Sequence, residues 1–258
     1  MRVGIIGLGY RLGYLARIFS AASPQFSIAG YVDPAPAGLP YAREHGVSVG
    51  KSYDSLEALL DNEDLDLLMV GSPNHLHLGH IRTGLERGKK IFTEKPVVTT
   101  VEETMELAGL IAQYGSDNLM VGLVLRYAPL YVDLRKAQAE GLLGDITSIE
   151  ASEHIPPYHG AFFMRDWRRY ERYSGSFMLE KCCHDLDLYN GVMGCRPQYV
   201  SSFGGRRTFV PANAPNDAGI NDLEVYHRKP SGWQGSDKVF DSDGDIIDFQ
   251  TAMVQYEN

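Results

Sequence analysis

A chain of 258 residues is long enough for one large or two modest domains, each able to close a core. Hydrophobic residues at 44% and charged residues at 22% match ordinary folded proteins and exclude disordered, collagenous and low-complexity classes. With 33 acidic side chains against 24 basic ones the net charge is −9, a field that repels phosphate backbones, so no nucleic acid is expected as a partner.

In chain order, Val3 to Ile6 reads as a first strand, buried because no polar residue alternates within it, and Gly7 breaks it. Tyr10 to Ala22 places Leu12, Leu15, Ala16, Ile18 and Phe19 at helical spacing and stops before Pro24. Phe26 to Val32 is a second strand, closed by Asp33-Pro34. Leu65 to Val70, Lys90 to Thr93 and Leu119 to Leu125 are further strands, separated by helical segments near Ser55 to Asp61, His75 to Arg87 and Val101 to Tyr114. This alternation predicts a doubly wound α/β domain with a parallel sheet over residues 1–122.

From 123 to 258 the pattern changes to an α+β domain with a largely antiparallel open sheet. A helix near Leu130 to Glu140 ends at Gly141 and Gly144, and Ile146 to His154 alternates as a half-exposed strand should. A helix from Phe177 to Met193 follows, apolar enough along its length to be expected buried. Tyr199 to Val210 and Ile246 to Tyr256 are strands on either side of a Gly-, Pro-, Asn- and Asp-rich stretch from Pro211 to Asp245. The chain stops at Asn258 directly after a strand, which leaves an open edge and the expectation that the second domain is incomplete.

Three cysteines, two of them adjacent at Cys182 and Cys183, supply neither a disulfide framework nor a CxxC zinc pair. Met1-Arg2 runs straight into strand, so no leader is expected, and no stretch approaches ~18 apolar residues. The expectation is a cytoplasmic protein with no membrane partner.

Gly7-Leu8-Gly9 sits where a strand gives way to a helix, the place where glycines admit a pyrophosphate to a helix N-terminus. The third glycine of GxGxxG falls at Leu12, with Gly13 one position late, so close strand-helix contact must be arranged differently. Asp33, at the end of the second strand, can bond both ribose hydroxyls of an adenosine and opposes a 2′-phosphate, which favours NAD over NADP. Ser72-Pro73-Asn74 follows a strand end, where open α/β sheets hold ligands, but also reads as a polar turn before a helix carrying His75, His77 and His80. In Glu94-Lys95-Pro96 the proline biases Lys95 away from helix and projects a cation from the sheet's end. Glu180, His184 and Asp187 share one helical face at i, i+4 and i+7, and a polar stripe on a buried helix needs a reason. Metal ligation is an alternative for that stripe, but without HExxH or a second His-rich segment no metal is expected.

These pieces occur in the order seen in the Gfo/Idh/MocA oxidoreductases, and the sequence resembles that family over most of its length. The resemblance rests on Gly7-Leu8-Gly9, Asp33, Ser72 to His77, Glu94-Lys95-Pro96, Arg126-Tyr127-Ala128-Pro129, Gly141 to Gly144, Asp166-Trp167-Arg168 and the helix ending in His184-x-x-Asp187. It implies a Rossmann-type first domain, with Gly7, Gly9, Tyr10, Arg11, Asp33, Ser72, Asn74, His77, Glu94 and Lys95 toward the cofactor. It implies Lys95, Glu180 and His184 around the oxidised carbon, and Arg126, Trp167, Arg168 and Asp187 toward substrate. The family more often has Asp at the position of Glu180 and Gly at that of Cys182, a difference that bears on the substrate. The activity implied is NAD-dependent hydride transfer to or from a sugar, polyol or sugar derivative. Half-alternating strands such as Ile146 to His154 have one apolar face to bury, so a homo-oligomer, dimer or tetramer, is expected. A redox-assisted glycoside hydrolase that retains its NAD, and a non-catalytic NAD-binding sensor, are the alternatives.

Overall fold

The computed structural model describes residues 1–215 and 233–257. Its backbone contacts separate two units, Met1–Gly122 with Arg172–Gly175, and Leu123–Glu171 with the described residues from Ser176 onward.

The first unit runs β1 (Arg2–Ile6), α1 (Tyr10–Ala22), β2 (Ser27–Val32), α2 (Leu39–Glu44), β3 (Lys51–Ser52), α3 (Leu56–Asn62), β4 (Leu67–Val70), α4 (His77–Glu86), β5 (Lys90–Thr93), α5 (Val101–Tyr114) and β6 (Leu119–Val121). The strands form one parallel sheet in the order β3-β2-β1-β4-β5-β6. Both faces of this sheet are covered, because successive strand residues point opposite ways and are apolar in both directions. Ile6, Leu68, Val70 and Ile91 pack with Leu59 of α3, Ile81 of α4 and Leu107 of α5, while Val3, Ile5, Met69 and Phe92 pack with Leu12, Leu15 and Ala16 of α1. Each such fully buried side chain contributes roughly 1.5–3 kcal/mol relative to exposure. Local chemistry marks the helix starts. The Ser55 hydroxyl accepts from Ala58 N–H at 3.0 Å to cap α3, and Thr100 accepts from Glu103 N–H at 3.1 Å to cap α5. The doubly wound domain expected from the sequence is therefore present. The two-residue β3 and the short α2 were not anticipated. The strand expected from Leu119 to Leu125 stops at Val121 and gives way to a 3₁₀ turn over Val124–Tyr127.

The second unit carries α6 (Pro129–Ala139), α7 (Pro157–Met164), the start of the single-turn α8 (Glu171–Ser174), α9 (Phe177–Met193), β7 (Pro197–Gly205) and β8 (Phe249–Tyr256). Among the described residues β7 and β8 form a two-stranded antiparallel sheet, paired from Pro197↔Tyr256 to Gly205↔Phe249. A small core gathers Ala161, Phe163, Met164, Phe209, Val239 and Ile246. Three expectations are corrected. Ile146 to His154 is irregular and largely exposed: alternation supplies an apolar face, but a strand also needs a bonded neighbour, and the described sheet contains only β7 and β8. The strand expected to reach Val210 ends at Gly205, because the N–H groups of Arg207, Thr208 and Phe209 are taken by the Asp248 carboxylate at 2.8–2.9 Å instead of by a ladder. Helix α9 is half-buried rather than buried; Glu180 and Val192 are its buried residues. Of the turn-rich stretch from Pro211 to Asp245, residues 216–232 lie outside the described residues. No described helix is long and apolar enough to cross a membrane.

At the centre of the first sheet Gly7 has φ +85°, and a Cβ there would stand 2.3 Å from Ser72 N. Gly7→Ala is therefore expected to lower the stability of the protein by about 2 kcal/mol or more in a denaturant titration, through a disfavoured backbone region and a contact with immovable main chain.

Candidate active site

In the first unit the candidate residues gather at the carboxyl ends of β1, β4 and β5, beside the point where the sheet order reverses between β1 and β4. Gly7 bonds back to Val32 O at 2.9 Å, and Gly71 N–H bonds Ile6 O at 2.8 Å, so two glycine-containing turns lie side by side. The space expected from a third glycine is made elsewhere. Leu12 is 1% exposed and fits because residue 71 is glycine: a Cβ on Gly71 would be 2.5 Å from Leu12 Cγ. Gly13 admits the backbone of Gly38, whose oxygen would be 2.8 Å from an added Cβ. Over Gly9 the space is open, with nothing within 4 Å of an added Cβ.

Helix α1 begins at Gly9 without a side-chain cap and without an acidic residue in its first turn. Its N–H groups and positive dipole end suit an anionic group. Asp33 closes β2 half-buried, its Oδ1 accepting from Ala35 N–H at 2.8 Å. Burial raises its pKa, opposed by hydrogen bonds from the Ala35 and Leu8 backbone. These features fit a dinucleotide: an uncapped helix end for the pyrophosphate, an open glycine for close approach, and an acceptor for the ribose. Tyr10 and Arg11 open the helix, both exposed. Arg11 Nε meets Glu94 Oε1 at 2.8 Å, and Glu94 is 8% exposed, so two residues expected toward the cofactor are joined to one another.

Ser72 Oγ lies 2.9 Å from His80 Nδ1. Asn74 Nδ2 donates to Ser174 O at 3.1 Å, with both residues buried, and His75 packs its ring on Tyr173. His77 is 1% exposed, with Nδ1 2.9 Å from Pro96 O and Nε2 2.8 Å from Ser72 O. Both nitrogens of the ring expected toward the cofactor thus face main-chain oxygens. Lys95 follows β5 half-buried, joined to Pro96 by a cis peptide bond.

In the second unit Arg168 stands between two buried acids. Its Nε is 3.1 Å from Glu180 Oε1 and its Nη1 2.7 Å from Asp166 Oδ2, and its guanidinium covers the Trp167 and Phe162 rings at 4.3 and 4.6 Å. Burial pushes the Asp166 carboxyl up, Arg168 opposes it, and the neighbouring Glu180 adds to the rise. Asp166 entered the sequence reading only as part of the Asp166-Trp167-Arg168 segment, without a role; its place before a turn that it caps, through Arg168 N–H at 3.0 Å, is a readable signal. Arg126 and Asp187 form a two-pronged ion pair, with Nε to Oδ2 at 2.6 Å. His184 is half-buried on α9, one turn after Glu180. Just before α9, Ser176 has φ 94° and ψ 166°, a region costing a non-glycine residue about 1–3 kcal/mol. Among the described residues no group of three or more His, Cys, Asp or Glu could hold a metal ion. An apolar cavity of about 100 Å³ in this unit, lined by Phe163, Met164, Phe177 and Phe209, contains none of the expected site residues.

Residues 1–123 match the family model described as oxidoreductase family, NAD-binding Rossmann fold, and residues 131–258 match the GFO/IDH/MocA C-terminal domain. The chain belongs to the Gfo/Idh/MocA oxidoreductase family. Relatives of this Gfo/Idh/MocA chain include the scyllo-inositol 2-dehydrogenase (NAD(+)) of Bacillus subtilis, 27% identical over 79% of this chain and 57% of that protein. The 2,7-anhydro-N-acetylneuraminate hydratase of Escherichia coli is 24% identical over 78% of this chain and 52% of its own length. A crystal structure of scyllo-inositol dehydrogenase from Lactobacillus casei with bound NAD(H) and scyllo-inositol aligns with TM-score 0.64 and 27% identity, over 80% of this chain and 60% of that one. The chain spans about half the length of the curated relatives it matches.

His80 carries a pH prediction. Burial, with like charge from His77 and His75 and only Glu57 opposing, pushes its imidazole down to about 4. Its ordinary value of 6.5 applies in the unfolded chain, so the unfolded state binds the extra proton first as pH falls. Stability is expected to decline from about pH 6.5 to about pH 4, and His80→Gln should flatten that decline in denaturant titrations across the same window.

Proposed function

We propose that this protein is an NAD-dependent oxidoreductase that moves a hydride between nicotinamide and a sugar, polyol or sugar derivative. The observation that carries the reading is the match of both family domains, one over the uncapped glycine turn with Asp33 and the other over the helix bearing Glu180 and His184. The scyllo-inositol relatives support a polyol-class substrate.

In this reading the glycine turn and the α1 N-terminus hold the pyrophosphate, and Asp33 accepts from the adenosine ribose. When bound, the nicotinamide supplies a two-electron acceptor for the carbinol carbon. His184 is the base that takes the hydroxyl proton, because an imidazole titrates near neutrality. Lys95 donates a hydrogen bond to the oxygen and stabilises its developing negative charge. Glu180, fixed by Arg168, orients His184 or binds a neighbouring hydroxyl. Lys95 and His184 can exchange these two roles. The Arg126–Asp187 pair and Arg168 on Trp167 supply the polar and flat surfaces expected toward substrate.

A second reading keeps the same proton machinery but returns the hydride within each turnover, as a redox-assisted glycoside hydrolase would. The hydratase relative, which acts on an anhydro sugar, favours testing it. Net formation of reduced nicotinamide at substrate saturation supports the dehydrogenase, and turnover without it supports the second reading.

We place the protein in the cytoplasm and as a homodimer or tetramer. Tyr199, Phe203, Met253 and Phe249 share one face of β7 and β8 by register, and Phe203 and Met253 are 76% and 78% exposed, an apolar surface suited to self-association. Light scattering is expected to give at least a dimer; a monomer would remove this claim.

Asp33→Ser should weaken NAD about 10-fold in calorimetry while improving NADP relative to NAD, the scale of one or two lost hydrogen bonds. Tighter binding of NADP than NAD by the unaltered protein would overturn the cofactor assignment. Lys95→Ala and His184→Ala should each lower kcat by about 10²-fold with NAD affinity nearly intact, and near-normal turnover in both would defeat the proposed roles.

A further inference from the structure

Lys95 stands two residues past the end of β5. Glu94 is the last residue of this strand end tied to a neighbouring strand, through its N–H to Val70 O at 2.8 Å, and Pro96 has no N–H to offer. The peptide oxygens on the two sides of Lys95 are held by side chains instead. Thr93 Oγ1, on a residue 0% exposed, donates to Glu94 O at 3.2 Å, and the His77 ring, 1% exposed, meets Pro96 O at 2.9 Å. The other nitrogen of the same ring meets Ser72 O at 2.8 Å, on the turn that follows β4. A neutral imidazole has one N–H to give and an imidazolium two, so the ring holds at least one of these oxygens by a hydrogen bond and stands within bonding range of both.

We propose that His77 is a positioning residue that ties the turn after β4 to the turn after β5 and thereby fixes the backbone on which Lys95 stands. It touches neither substrate nor cofactor and acts through Lys95. The ring bridges main chain beyond the carboxyl ends of β4 and β5, and its burial on the first turn of α4 makes the tie stiff. A shift on the order of 1 Å in Lys95 is enough to cost about 10²-fold in a positioned reaction, so a small loosening of this bridge registers in turnover before it registers in binding. The proposal rests on the reading of Lys95 as the group beside the reacting oxygen, so one arm of its test needs no turnover.

The experiment compares His77→Gln, which keeps a single amide donor, and His77→Phe, which keeps a ring and loses both contacts. Each is made in the unaltered protein and in Lys95→Ala. The expected result is a fall in kcat of about 10-fold for His77→Gln and more for His77→Phe, with KM for NAD within about 2-fold. In the Lys95→Ala background the same substitutions should change kcat by less than about 2-fold, because the group they position is gone. In ¹³C-dimethylated protein, the NMR resonance of Lys95 should change position in His77→Gln, with those of the other lysines unmoved. Equal losses of kcat in both backgrounds, an unchanged kcat, or an unmoved Lys95 resonance would overturn the proposal. A chain that folds with neither substitution would also overturn it, by assigning His77 to stability alone. If the unaltered protein turns over no sugar or polyol, the proposed function fails by itself and the Lys95 resonance still decides the role of His77.

Discussion

At the carboxyl ends of β1 and β4 the backbone of residue 7 lies directly against that of residues 71 and 72, an approach that only a side chain of one hydrogen permits. The two strands are central in the sheet and their flanking strands run outward in opposite chain order, so this contact is also where the crevice of a doubly wound sheet opens. Several other choices follow from it. Leu12 can be large because Gly71 makes room, and α1 can then begin at once after Gly9 with its N–H groups uncovered. The turn after β4 is in turn placed for His77 to reach its carbonyl. The glycines near the candidate cofactor site are thus packing devices first, and the opening for a phosphate is what that packing leaves.

The second recurring theme is that charged residues near the candidate site are matched before any ligand arrives. Arg11 meets Glu94, Arg126 meets Asp187, and Arg168 serves Asp166 and Glu180 together. These pairs differ in worth. Arg126 is more than half exposed, and an exposed pair of this kind contributes about 0–1 kcal/mol, so it positions more than it stabilises. Arg168 is different, because its two acids are 4% exposed and removing its guanidinium would take a charged partner from two buried carboxylates, a change that costs several kcal/mol in comparable settings (about 3–5). A side chain so committed holds Glu180 in one place, which is what an orienting acid requires.

Much of the first unit was legible because its signals are local. The spans of α1, α5 and β5 coincide with those read from periodicity, since apolar spacing, Thr100 and Pro24 all act within a turn of the residues they punctuate. The two-residue β3 has no period to read; its existence depends on Gly30 and Tyr31 lying alongside. Ile146 to His154 shows the reverse, a correct alternation without a bonded neighbour among the described residues. The site motifs were also readable as residue types in order, yet their partners were not. Arg126 and Asp187 are separated by 61 positions and Arg11 and Glu94 by 83, distances over which a single sequence carries no pairing signal. The contacts of His77 were unreadable for the same reason, because its two carbonyl partners belong to main chain and leave no mark in the side-chain sequence.

Helix α9 shows how a local cost can serve the arrangement of a site. Its acid and imidazole share one face by their i, i+4 spacing, and how far they stand from the preceding turn depends on the residue at which the helix begins. Gly175 at φ 81° and Ser176 at φ 94° turn the backbone sharply there, and Ser176 O accepts the Glu180 N–H at 3.0 Å as the first helical bond. A glycine at 176 would reach the same conformation without strain but would leave the start of the helix free to shift. Serine accepts the strain and narrows the choice, so the offset from the turn to Glu180 and His184 is set by the backbone itself. The strain is tolerable because Glu180 is anchored on its far side by Arg168, and the two constraints together define the position of the acid along the helix.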